Sequence, residues 1–135
     1  MARYQEYNVQ CVRTLFVDVK TETTHQAIYP KIEKIHAFVM SRIRAGVKLG
    51  EVYDESIAYI GRKYTNLLHC FEKCLGWGTG PHVILRSREI APGSPHVIRE
   101  GECYAIRTCV YDAEGVTLAI GDTVLVEGGG SHCVT

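Results

Sequence analysis

Long apolar runs, a dominant charge sign and paired cysteines are all missing from this chain of 135 residues. No stretch approaches the roughly 20 consecutive apolar residues that span a bilayer, so no membrane-crossing helix is expected. Arg3, Gln5 and Glu6 interrupt the start, which does not read as a signal peptide. Lys and Arg number 15, as do Asp and Glu, so no global field draws the chain to a membrane or to nucleic acid. The same balance supplies no acidic signature for basic partners. Six cysteines (Cys11, Cys70, Cys74, Cys103, Cys109, Cys133) have irregular spacing and no tight Cys-x2-Cys pair. That argues against a disulfide framework and against structural zinc at His69-Cys70, Cys74 and His132-Cys133; they read as reduced thiols of a cytosolic or nuclear protein. No low-complexity tract or internal boundary interrupts the chain. What is present is a 46% hydrophobic content, enough for one domain with a real core.

Periodicity sets out the elements. Arg3 to Val19 reads as two strands with a turn near Asn8, since Leu15, Val17 and Val19 alternate with Phe16 and Asp18. Thr21 to Thr24 can cap a helix. Ile28, Ile32, Ile35, Val39 and Ile43 then form one helical stripe, ending near Gly46 with Arg42 and Arg44 in the last turn. Pro30 either starts that helix or kinks it. After a linker over Gly46–Gly50, Tyr53, Ile57, Ile60 and Tyr64 mark a second helix, and Asn66 to Leu75 predicts a third. The three glycines of Gly76-Trp77-Gly78-Thr79-Gly80 predict a turn. Val83-Ile84-Leu85 follow, then a polar loop with Pro92, Gly93 and Pro95. Strands are expected around Cys103–Val110 and Val116–Val126, joined by a hairpin turn at Asp112–Gly115. Gly128-Gly129-Gly130 reads as a flexible loop. Strands, helices, then mostly strands make an α+β arrangement, helices packed on a curved, mostly antiparallel sheet.

Four motifs in this order resemble the catalytic domain of the pita-bread aminopeptidase/creatinase family. Val12-Arg13-Thr14 resembles its Thr-Arg-Thr strand, two residues after a metal-binding aspartate whose position falls on Gln10. Gly76-Trp77-Gly78-Thr79-Gly80 resembles a glycine turn that carries a metal-binding histidine, here Trp77. A second histidine-glutamate pair falls on Ile84 and Leu85. Ile98 to Ile106 resembles the strand before a ligand glutamate, here Arg107. Gly121-Asp122-Thr123-Val124-Leu125-Val126 resembles a Glu-Asp-Thr-Val-Leu-Val strand, its ligand glutamate replaced by Gly121. The family's first metal aspartate would precede Met1. The branch that shares these departures is similar to the peptidase-like domain of the large subunit of the FACT histone chaperone. Pro81-His82-Val83 differs from that branch, which has acidic and aromatic residues there.

The resemblance implies a later part of a pita-bread domain, with residues 1–135 as a single piece of a larger whole. It also implies no catalysis and no metal or other cofactor. Two-metal hydrolysis needs close-set carboxylates to offset two cations and activate water. Gln10 and Gly121 bring no charge, Arg107 brings a positive one, and the Trp77 indole nitrogen only donates. These side chains either fill an unused cavity, with Arg107 paired to Asp122, or line a groove that binds peptide. For the second case the candidate residues are Gln10, Trp77, His82 and Arg107, since tryptophan and arginine concentrate at interface hot spots. Implied with it are a nuclear, chromosomal location, core histones or their tails as partners, and the smaller FACT subunit bound through other domains. No direct nucleic-acid binding is expected. Two other readings stand beside it: a divergent metallopeptidase, and an interaction scaffold that pairs with itself through exposed sheet edges.

Overall fold

The computed structural model describes residues 2–4, 7–17, 24–80, 85–111 and 116–135. Their order is β1 (Ala2–Tyr4), β2 (Tyr7–Val9), α1 (Thr24–Arg42), α2 (Leu49–Lys63), a short 3-10 helix (Thr65–Cys70), β3 (Gly76–Thr79), β4 (Leu85–Glu89), β5 (Cys103–Tyr111), β6 (Thr117–Glu127) and β7 (Gly130–Cys133). β1 and β2 pair antiparallel. The other five strands form an antiparallel sheet in the order β4-β3-β5-β6-β7. The expected α+β arrangement, helices packed on an antiparallel sheet, is the one observed.

The helices cover one sheet face. Ile32, Ile35, Val39 and Ile43 of the α1 stripe are fully buried. They meet Tyr104, Ile106, Val110, Leu118, Ile120, Val124 and Val126, the residues that alternate toward α1 along β5 and β6. Each Val or Ile side chain so buried is worth about 1.5–3 kcal/mol relative to exposure. Pro30 lies inside α1, which runs unbroken from Thr24. α2 begins at Leu49, inside the stretch expected to be a linker. Its first amides are satisfied from outside: Leu49 N–H donates to the His96 carbonyl at 3.0 Å and Gly50 N–H to Ser94 at 3.1 Å.

Several local expectations fail for identifiable reasons. The glycine segment is a strand, not a turn, held by β5 on one side and β4 on the other. Gly76, at φ +152°, is required there by proximity: a Cβ would sit 2.4 Å from the Ala105 carbonyl oxygen. The third helix shrinks to Thr65–Cys70, because Phe71 leaves it to bridge Val110. Gly130 opens β7 instead of ending a loop. Leu15 and Val17 are each 81% exposed and form no strand, so their alternation marks no buried face. Residues 18–23, the segment 81–84 with His82, and the hairpin turn 112–115 lie outside the described residues.

Candidate functional site

Strand register brings three of the former ligand positions to one face. Arg107 lies opposite Gly121 in the β5–β6 pair, and Trp77 lies opposite Ala105, two residues before Arg107. Alternation puts Trp77, Arg107 and Gly121 on the side away from α1. Gln10 joins them through backbone bonds: its N–H donates to Thr123 Oγ1 at 2.7 Å, and Thr123 Oγ1 donates back to its carbonyl at 3.1 Å. From there the chain runs antiparallel along β6. Val12 and Gly121 exchange backbone bonds of 2.8 and 2.9 Å, and Thr14 Oγ1 bonds both the amide and the carbonyl of Ala119.

This arrangement does not fit a metal pair. A Cβ at Gly121 would lie 3.0 Å from Val12 Cγ2 and 3.1 Å from Val12 Cβ, so a side chain there would press Val12 aside by a few tenths of an ångström, while Gly121 itself offers no ligand. Arg107 brings a cation to the same face. Its Nε donates to Cys109 Sγ at 3.0 Å. Burial pushes the Cys109 thiol up, outweighing the neighbouring guanidinium, so it stays protonated and is no nucleophile. The expected pairing of Arg107 with Asp122 does not occur, because Asp122 lies opposite Ile106 and faces α1 instead. Arg107 has the Glu72 carboxylate nearby, which also accepts from the Tyr111 hydroxyl. Glu89 lies opposite Trp77 across the β3–β4 pair. Trp77, Arg107, Glu72 and Glu89 are half-buried and reachable, and the buried Gln10 Oε1 has no hydrogen-bond partner. The face therefore offers an aromatic surface, a guanidinium and two carboxylates, a donor-and-acceptor set suited to a peptide.

A second polar cluster, on the α1 side, was not foreseen in the sequence. Asp122 is 5% exposed and accepts from Arg13 Nη2 at 2.8 and 3.1 Å, from the Thr135 hydroxyl at 2.8 Å and from His36 Nε2 at 3.1 Å. A carboxylate only accepts, so Nε2 carries the proton and Nδ1 accepts from the Thr108 hydroxyl at 2.9 Å. Burial holds the His36 pKa below its usual value against the pull of Asp122, and the imidazole is neutral. The signal for it was positional: His36 lies four residues after Ile32 and three before Val39, inside the buried stripe. Every polar atom of the Asp122–His36 pair is partnered, so the cluster ties β6 to α1 and to the Gln10–Thr14 segment. A third knot joins Glu102 to the Tyr104 hydroxyl (2.6 Å), His96 (3.0 Å), the Arg99 amide and Arg88. Burial alone would raise the Glu102 pKa, but these partners hold it below its usual value.

Comparison with known proteins agrees with this geometry. The family model described as metallopeptidase family M24 matches residues 1–128. FACT complex subunit SPT16 of Gibberella zeae is 27% identical over 117 residues, covering 83% of this chain and 11% of that protein. The N-terminal domain of SPT16 from chickpea superposes with a TM-score of 0.86 at 18% identity, over 98% of this chain and 33% of that one. Prolidase from Pyrococcus furiosus superposes at 0.83 with 22% identity, over 96% and 37%. At these identities the solved structures show the shared fold alone. The chain spans about a tenth of the length of the SPT16 relative and about a third of the solved chains.

Proposed function

The chain belongs to metallopeptidase family M24, and on that premise we propose that it is a non-catalytic member acting in a FACT-type histone chaperone, where it binds core histones. The observation that carries this reading is that Gln10, Trp77, Arg107 and Gly121, none of them a carboxylate or an imidazole, gather where the resemblance puts the metal ligands. The SPT16 relative supports the chaperone setting. It also supports a place in the nucleus, on chromosomes, in nucleosome reorganisation during transcription and replication. The smaller FACT subunit would attach to other domains of the protein, and residues 1–135 would form part of a larger pita-bread domain.

The recognition face is the one that carries Trp77. Histone tails are extended, basic and poor in aromatics. Glu72 and Glu89 can pair with their lysines and arginines, and Trp77 can take a cation or a methylene stem on its ring. Arg107 disfavours a lysine directly above it and so helps set register.

The test is a titration of the labelled chain with refolded core histones at rising salt, run beside Trp77→Ala and a Glu72→Gln/Glu89→Gln double variant. Saturable binding that survives moderate salt and weakens roughly tenfold in both variants is expected. Binding that vanishes with modest salt, or that ignores both variants, removes this face from the function.

A further inference from the structure

We propose that the outer face of the α1–α2 pair is a second docking surface, for an acidic peptide segment that carries an aromatic or large apolar residue. It lies on the opposite side of the sheet from Trp77, so it is independent of the histone-binding proposal. A groove of about 510 Å³ runs between the helices, lined by Phe38, Arg42, Glu55, Ala58 and Arg62. Phe38 stacks on Tyr59 with centroids 4.1 Å apart and planes 7° from parallel. Tyr64 meets Tyr59 edge-on at 6.2 Å. The helices are antiparallel here, since Arg42 reaches Glu55 at 3.6 Å one turn along from the stack.

Charge decides the occupant. The groove is lined by two cations, Arg42 and Arg62, against one carboxylate, Glu55, and exposed Lys63 follows Arg62 on α2. Neither Arg62 nor Lys63 is in an ion pair with a described residue, and the Arg42 Nε has no acceptor. Surface helices ordinarily neutralise such cations with acidic residues one turn away. Here Arg42 is shared between Glu55 and the Phe38 ring, 5.0 Å from its centroid, and Lys63 rests over Tyr59 at 5.5 Å. A carboxylate-rich segment would meet these cations, and its apolar residue would lie in the groove against Ala58 and the aromatic edges. The stack also speaks against single-stranded nucleic acid. Base stacking needs an open ring face, whereas Phe38 and Tyr59 cover each other on one side and carry cations on the other.

The probe is a fluorescein-labelled synthetic heptapeptide, Asp-Glu-Asp-Phe-Glu-Asp-Glu, titrated with the 135-residue chain and followed by anisotropy. Saturable binding is expected, weakened about tenfold by the Arg62→Gln/Lys63→Gln double variant. Replacing the peptide's Phe by Ser should weaken it by a similar factor, and Trp77→Ala should leave it unchanged. Arg62 and Lys63 are exposed, so the double variant should keep the parent's circular dichroism and melting temperature. Failure to saturate, equal affinity in the double variant, or tighter binding of a charge-matched single-stranded oligonucleotide would overturn the proposal.

Discussion

Asp122→Ala is the substitution whose cost the structure separates most sharply into parts. The carboxylate has three side-chain partners, and they respond differently to its loss. The Arg13 side chain is 45% exposed, so its guanidinium turns to water and the lost pair costs about 0–1 kcal/mol. Thr135 is at the surface, and its hydroxyl rehydrates for a few tenths of a kcal/mol. His36 cannot do either. It is 4% exposed, its Nδ1 is engaged by Thr108, and its Nε2–H would point at a methyl group. A stranded buried donor costs about 1–3 kcal/mol, and the emptied carboxylate volume adds to that. The sum is about 2–4 kcal/mol, less than for a stranded buried charge because the imidazole is neutral. Asp122→Asn keeps an acceptor for His36 and should cost about 1–2 kcal/mol, and Arg13→Gln no more than about 1 kcal/mol. Urea unfolding at pH 7.5, a condition of choice, reads all three through Trp77, the single tryptophan, which lies on the other sheet face. If Asp122→Ala costs no more than Arg13→Gln, the His36 link is not what holds β6 to α1.

Three further outcomes test other parts of the structure. Stability should fall as the pH drops: His36 is depressed from 6.5, so its contribution is full above that value and is lost as the pH falls toward its folded pKa. Glu102 is depressed from 4.5 and adds a second loss below that value. Urea midpoints between pH 8 and 5 check the first step, and a folded variant without the His36 ring should flatten it. Gly121→Glu should not create a metal site, because Gln10 and Trp77 add no ligand and Arg107 stands opposite as a cation; a loss of about 1–3 kcal/mol is expected from pressing Val12 aside. Micromolar binding of Mn²⁺ to that variant by calorimetry would contradict this. Gly76→Ala should cost roughly 2–4 kcal/mol, since its Cβ would press into the Ala105 carbonyl; an unchanged melting temperature would show that β3 can move away from β5.

Periodic elements were legible in the sequence and contact-defined ones were not. The α1 stripe and the β5–β6 pair announce themselves through spacing, because a buried face repeats every 3.6 or every 2 residues. β3 does not. A Gly-Trp-Gly-Thr run has no apolar alternation, and its glycines meet a close backbone approach that no local pattern reveals. Leu15 to Val17 fails in the opposite sense: the pattern is present and the buried face is not. At the candidate site, the expected strands held Arg107 and Gly121, whereas Trp77 was expected in a turn and stands on β3. Motif order could not show that Arg107 and Asp122 face opposite sides, although strand parity alone forbids their pairing once Arg107 stands opposite Gly121.

That parity also explains how a strand can keep its family's wording after losing its ligand. Gly121 and Thr123 face Val12 and the Gln10 backbone, whereas Asp122, Val124 and Val126 face α1. Carboxylate loss at Gly121 relieves a metal requirement on one face only. Asp122 answers to His36 and Arg13, Thr123 to the Gln10 amide and carbonyl, and the valines to the core; none of these depends on a metal. The Asp-Thr-Val-Leu-Val run is thus a structural signature of the fold, and its presence carries no weight for peptidase activity. The informative position is the residue just before it. A carboxylate there, joined by others at the positions of Gln10 and Arg107, is what a two-metal site would need. Here Gly121 stands opposite a guanidinium and near an uncharged amide, so one carboxylate added at Gly121 would leave the charge of two cations unbalanced.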